Sequence, residues 1–202
     1  MANTVLYMSM SLDGFIAGPD DGLQNGLGTD GMRLHGWLVR DRREGVAGYR
    51  PDGPSGEVFD ELMDTGAVVV GRRTFDIAGG WGGDHHDGVP IFVPTHHAPD
   101  VKTDEWPLVT YVTDGIESAV TRARRAAGAK NVMVHGARTA QEMLRAGVLD
   151  EMEIHLIPVL LGQGRPLFDS LGTRHIELNL TRIVDAPGVT HLRYRVGPQI
   201  TA

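Results

Sequence analysis

Cysteine is absent from the 202 residues. That removes disulfide frameworks, thiolate metal sites and cysteine nucleophiles together, and it points to a reducing compartment, the cytoplasm. Positive charge is scarce: 19 Lys and Arg stand against 26 Asp and Glu, a net charge of −7. A general nucleic-acid binder is excluded on that balance, because phosphate backbones are gripped by clustered cations. No apolar run approaches the roughly 20 residues of a membrane helix. The opening MANTVLYMSMSLDGF lacks the cationic start and long apolar core of a signal peptide. Repeats and low-complexity tracts are also missing. What remains is 41% hydrophobic and 22% charged residues, enough for one packed core spanning 1–202.

Residues 5–10 read as a first strand, ended by the turn formers Asp13 and Gly14. A glycine-rich stretch over 18–56 follows, with a short helix expected at 32–39. Irregular segments of that length inside a domain are commonly functional, and a lid is expected. Val58, Phe59, Leu62 and Met63 have helical spacing, with Gly66 in the place of a C-cap. The continuous apolar run 67–70 predicts a strand covered on both faces. Strands are also expected at 89–93, 108–112 and 131–134. Asp114 and Glu117 form a potential capping pair for an amphipathic helix, and another helix runs to Gly147. The last third turns strand-like at 151–156, 176–184 and 190–196, with a hairpin turn at 186–188. Together these elements predict a mixed α/β sheet, parallel in its centre, with an antiparallel C-terminal hairpin and helices on both faces.

Ligands of open α/β sheets bind beyond the carboxyl ends of parallel strands. Two such ends share one device. Gly71, Arg72, Arg73 and Thr74 follow the 67–70 strand; Gly136, Ala137, Arg138 and Thr139 follow His135, after the 131–134 strand. Glycine permits close approach, a helix start offers N–H donors, and arginine suits phosphate. Each junction read alone is equally compatible with a helix start carrying solvated arginines. Taken as a pair they outline a dinucleotide cleft, although GxGxxG is absent after the first strand. Asp84, His85, His86 and Asp87, with His96 and His97 nearby, leave a metal hydrolase as a rival reading.

The segments 9–17 (SMSLDGFIA), 71–75 (GRRTF), 134–137 (VHGA), 149–151 (LDE) and 158–168 occur in the order seen in the dihydrofolate reductase-like superfamily. The resemblance is closest to the riboflavin-biosynthesis reductase C-terminal domain group, through AGVLDEMEIHLIPVLLGQGRPLF. It implies an NADPH-dependent oxidoreductase that transfers a hydride to a small heterocyclic or imine-like substrate, of pteridine or ribosylaminopyrimidine type. Ile16 and Ala17 would meet the nicotinamide. Gly71 to Thr74 would line the phosphates, Thr95 and His96 would lie near the 2′-phosphate, and His135 to Thr139 would complete the cradle. Under the lid reading of 18–56, Trp37 and His35 would contact substrate, and Asp13 and Phe59 are the other candidate substrate contacts. Glu57, Asp60 and Glu61 are the carboxylates on the helix where related reductases carry an acid. A homodimer is implied as well. A nucleotide-binding module without turnover is the alternative, since no proton donor stands out.

Overall fold

The computed structural model describes residues 2–40, 50–98, 105–169, 171–173 and 175–200. The first strand, β1 (Thr4–Ser11), is followed by a tight turn at Asp13 and Gly14 and by the short β2 (Phe15–Ala17). Then come a 3-10 turn at Gly31–His35, the one-turn helix α1 (Trp37–Arg40) and the longer α2 (Gly53–Met63). Next are β3 (Ala67–Val70), α3 (Arg72–Ile77), β4 (Ile91–Pro94), β5 (Val109–Val112), α4 (Ile116–Ala127), β6 (Val132–His135) and α5 (Ala137–Ala146). The chain ends in β7 (Glu151–Ile157), the two-residue β8 (Arg165–Pro166) and the long hairpin of β9 (His175–Ala186) and β10 (Val189–Ile200).

Eight strands form one sheet in the order β5-β4-β3-β6-β1-β7-β10-β9. From β5 to β7 every pairing is parallel, and β10 and β9 close the edge antiparallel. Val68, Val69 and Val70 have no solvent exposure, as a central parallel strand requires. Each is worth about 1.5–3 kcal/mol of burial. Alternation along β3 sends Val69 to one face, against the stripe Ala119, Val120 and Ala123 of α4 and Ala140, Met143 and Leu144 of α5. Val68 and Val70 go to the other face, with Leu62 of α2 and Phe75 of α3. The expected fold class is what is observed.

Several local expectations are corrected. The stretch 18–56 is not one irregular loop: Asp52 caps α2 by accepting from its neighbour Gly53, and Pro54 lies in the first turn, so the helix begins inside the expected lid. Residues 41–49 of that stretch lie outside the described residues. Gly66 is not a helix cap, and the last turn of α2 closes on Asp64. A Cβ at Gly66 would stand 2.7 Å from the carbonyl oxygen of Ala127, so glycine here lets β3 approach the end of α4. Asp114 does not cap α4 either. Gly115 holds the N-cap position, and the Asp114 carboxylate accepts from Ser118 Oγ and Arg122.

Candidate active site

The carboxyl ends of β3 and β6 are adjacent, because these strands pair with Val70 opposite His135. Their glycines therefore meet. Gly71 donates its N–H to the His135 carbonyl at 3.4 Å. A Cβ on Gly71 would lie 2.5 Å from Thr139 Oγ1, and one on Gly136 only 2.6 Å from Thr74 Oγ1. Each glycine thus admits the threonine of the opposite helix start. At Gly136 the backbone also requires it, with φ of 95°. Gly136→Ala is expected to lower stability by about 1–3 kcal/mol in urea denaturation. Gly71→Ala, at an ordinary φ of −65°, is expected to cost less.

These junctions form the floor of a groove of about 690 Å³. Gly71, Arg72, Arg73, Thr74, Thr95, His96, Gly136, Ala137, Arg138 and Thr139 all line it, so the expected phosphate side is brought together. Arg145 and Arg165 add two cations that the sequence reading does not include, against the lining acids Glu142 and Asp169. No side chain caps α5, and the residues of its start, Gly136 to Thr139, line the groove. Arg72 is held by both oxygens of Asp76 at 2.8 Å and lies 5.5 Å from the ring centre of Tyr111.

A second hollow, of about 600 Å³, shares Arg73, Thr74 and Arg165 with the groove. Asp21 ties the two arginines at this border, 3.1 Å from Arg73 and 2.7 Å from Arg165. Those bonds hold its carboxyl below the usual carboxylate range. Ile16 and Ala17 line this second pocket rather than the groove, together with Trp37, Phe59 and Trp81. Trp81 sits at φ 50°, an uncommon conformation for a side chain of that size, and faces Phe75 and His85 edge-on.

Four histidines complete the pocket wall: His35, His85, His135 and His155. His135, expected beside the cofactor phosphates, is turned away from the groove. It is the last residue of β6, and its Nδ1 donates to the Tyr7 carbonyl at 3.0 Å. Its ring stacks on His85 at 5.2 Å. Burial holds the His135 pKa down at about 4 and His85 at about 2, with neighbouring histidines adding to both shifts.

The remaining candidates lie elsewhere. Asp13 accepts from Ser11 Oγ and from the N–H groups of Leu161 and Gly162, tying the turn after β1 to the 158–162 loop, and it does not line the pocket. Glu57 is exposed, because α2 turns Val58 and Leu62 inward. Asp60 pairs with Arg50 at 2.8 Å, and Glu61 joins Arg182 and Arg193. The α2 residues that do line the pocket are Phe59, Leu62 and Met63. The histidines of the metal reading are only partly together: His85 and His86 face each other at 2.8 Å between their Nδ1 atoms, with His86 also bonded to Thr65, while His96 lies in the groove. Among the described residues no three His, Asp or Glu side chains are arranged to hold a metal ion.

The family model of the RibD C-terminal domain matches residues 3–192. The chain belongs to this family. An uncharacterised Bacillus subtilis (strain 168) protein, YwjB, is 30% identical over 186 residues, covering 88% of each chain. Among solved structures, a putative riboflavin biosynthesis protein from Shewanella sp. PV-4 superposes with a TM-score of 0.71 at 24% identity, over 98% of this chain and 100% of that one. Acinetobacter baumannii RibD gives a TM-score of 0.63 at 15% identity, over 98% of this chain and 59% of that one. This member of the RibD C-terminal family therefore carries the dihydrofolate reductase-like fold. Among the described residues, no helix is long and apolar enough to cross a membrane.

Proposed function

We propose that this chain is an NADPH-dependent reductase of a small heterocyclic or imine-like substrate, of pteridine or ribosylaminopyrimidine type. The observation that carries the reading is the meeting of Gly71 and Gly136 at the floor of an arginine-lined groove that runs, past Thr74, into an aromatic pocket. The residues fit the cofactor. Two glycines let Thr74 and Thr139 come together at the groove floor, the N–H groups at the start of α5 would meet a diphosphate there, and Arg73, Arg138 and Arg165 supply positive charge. Arg72, Thr95 and His96 would take the adenosine end and its 2′-phosphate. Ile16 and Ala17 would hold the nicotinamide, and Trp37 and Phe59 the substrate. When bound, the cofactor supplies the hydride, and the protein aligns the reacting carbons and keeps water out.

The reading rests on binding, and binding tests it. NADPH is expected to quench tryptophan fluorescence and raise the melting temperature; silence with both NADPH and NADH would end the proposal. Arg72→Ala is expected to weaken NADPH about tenfold or more, worth about 1.4 kcal/mol, and NADH about twofold at most. Equal losses would move Arg72 to the shared diphosphate. One observation favours the alternative of a nucleotide-binding module without turnover: no α2 carboxylate lines the pocket among the described residues. Steady NADPH oxidation with any pteridine or pyrimidine acceptor would exclude that alternative. We also infer a cytoplasmic location, in keeping with a chain without cysteine, and a homodimer, supported by Leu178, Leu180 and Ile183, which β9 exposes at the sheet edge.

A further inference from the structure

The aromatic pocket holds polar atoms that the protein itself does not satisfy. Tyr7 Oη, His35 Nδ1 and His155 Nε2 are buried without a hydrogen-bond partner, and all three residues line the pocket. Buried polar groups are nearly always paired, so three orphans on one cavity point to the edge of a ligand.

His155 is the best placed of the three. It is 2% exposed, in the middle of β7, opposite Ser9 of β1 and His191 of β10. Its Nδ1 lies 2.8 Å from Nδ1 of His191, whose Nε2 is 3.1 Å from Ser55 Oγ at the start of α2. Two neutral imidazoles share one proton between those Nδ1 atoms. If His155 carries it, His155 Nε2 is a bare acceptor; if His191 carries it, His155 Nε2–H is a donor. The chain can therefore present either partner to a ring nitrogen, a ring N–H or a ring carbonyl. Trp37 orients the group from the side, 4.7 Å from the His155 ring, with its own N–H donated to Ser9 Oγ.

Charge is confined to the rim. Among the described lining residues only Asp21, Arg73 and Arg165 are ionised, and they are joined to one another at the border with the groove. The wall beyond them is Tyr7, Phe59, Trp37, Trp81, aliphatic side chains and the four histidines. Burial lowers the pKa of all four, so they stay neutral at pH 7. Arg193, behind the Tyr7 ring, is already matched by Glu61, Glu151 and Glu153, so among the described residues an anionic group lodged beyond the rim would lose its water and find no free counter-charge.

From this we infer that the aromatic pocket takes an uncharged, planar nitrogen heterocycle carrying no phosphate or carboxylate, with His155 Nε2 and Tyr7 Oη bonding its polar edge. The inference rests on the reductase reading and narrows its substrate class, setting phosphorylated sugar adducts aside.

The test is a titration of the intact protein, alone and saturated with NADP+, with quinazolinone and with its carboxymethyl and phosphonomethyl derivatives. Quinazolinone is expected to bind, and each anionic derivative about tenfold more weakly or worse. The proposal is overturned if an anionic derivative binds as tightly as the parent, or if the parent does not bind. His155→Phe keeps the shape of the wall and removes Nε2. It is expected to weaken quinazolinone about tenfold and to change NADP+ affinity less than about twofold; unchanged quinazolinone binding would remove His155 from the recognised edge. The wild-type comparison stands even if that variant does not fold. Failure of NADP+ to bind while quinazolinone does would sink the reductase reading and spare the pocket assignment. The reverse result would do the opposite.

Discussion

Acidification from pH 7 to pH 5 is expected to destabilise this protein strongly. Burial is the largest cause of depressed pKa at His85, His135, His155 and His191, to about 2 at His85 and about 4 at His135 and His191. In the unfolded chain each returns to about 6.5. Below that pH the unfolded state binds more protons than the folded one, so stability falls as pH falls, at about 1.4 kcal/mol per unit for each histidine. By pH 5 each has lost about 2 kcal/mol. The four together approach the about 5–15 kcal/mol that holds an ordinary domain. His35 and His86 shift the same way.

Other groups do not cancel this loss. Asp13, Asp21 and Asp114 have lowered pKa values, so their contribution is intact above about 3.9 and is lost only below it. Glu153 is raised by burial and works in the opposite direction, a single group against several. Urea denaturation at pH 8, 6.5 and 5.5 measures the slope. Equal stability at pH 8 and 5.5 would show that the histidines are not held neutral.

Why these histidines are invisible along the chain is a matter of sequence distance. His85 follows an irregular turn and His135 ends a strand, and only the sheet brings their rings to 5.2 Å. His155 and His191 meet through the antiparallel register of β7 and β10. Asp21 likewise finds Arg165 across 144 residues. One local signal was present: in EMEIHLI the polar Glu151, Glu153 and His155 alternate along a strand now seen inside the sheet, so one of its faces had to carry a polar cluster. The glycine junctions were legible for the opposite reason. Strand, glycine and helix start follow one another within a few residues, and local steric rules suffice to read them. Adjacency of β3 and β6 came with the fold class, and with it the shared groove. Helix ends misled where caps compete. Gly115 adopts φ 101°, taking the N-cap from Asp114 and freeing that carboxylate for Ser118 and Arg122.

Arg193→Met is expected to cost about 3–5 kcal/mol, the usual penalty for stripping one partner from a buried ion cluster. Arg193 joins Glu61 of α2, Glu151 at 2.7 Å and Glu153 at 3.3 Å, and it lies 5.8 Å from the centre of the Tyr7 ring. Arg182 is the other cation, bound to Glu61 at 2.6 Å and Glu153 at 3.0 Å. Three carboxylates thus share two guanidinium groups, and Glu153 has no solvent exposure. Methionine would keep much of the volume, but Glu153 would retain Arg182 alone. The Glu153 pKa is already raised, because burial outweighs both arginines, and loss of Arg193 would raise it further. A raised carboxyl pKa means that the folded state takes up its proton first, so stability is lost as pH rises toward that value and regained as pH falls. The gap between wild type and variant, measured at pH 8 and at pH 6.5, should therefore be no wider at the lower pH, against the trend of the wild-type protein itself. Arg122→Met, which breaks an exposed pair with Asp114 at 2.8 Å, should cost less than about 1 kcal/mol at either pH. If the two substitutions cost the same, the cluster beneath α2 is solvated, and the Tyr7 side of the pocket has lost the rigid support that its uncharged wall requires.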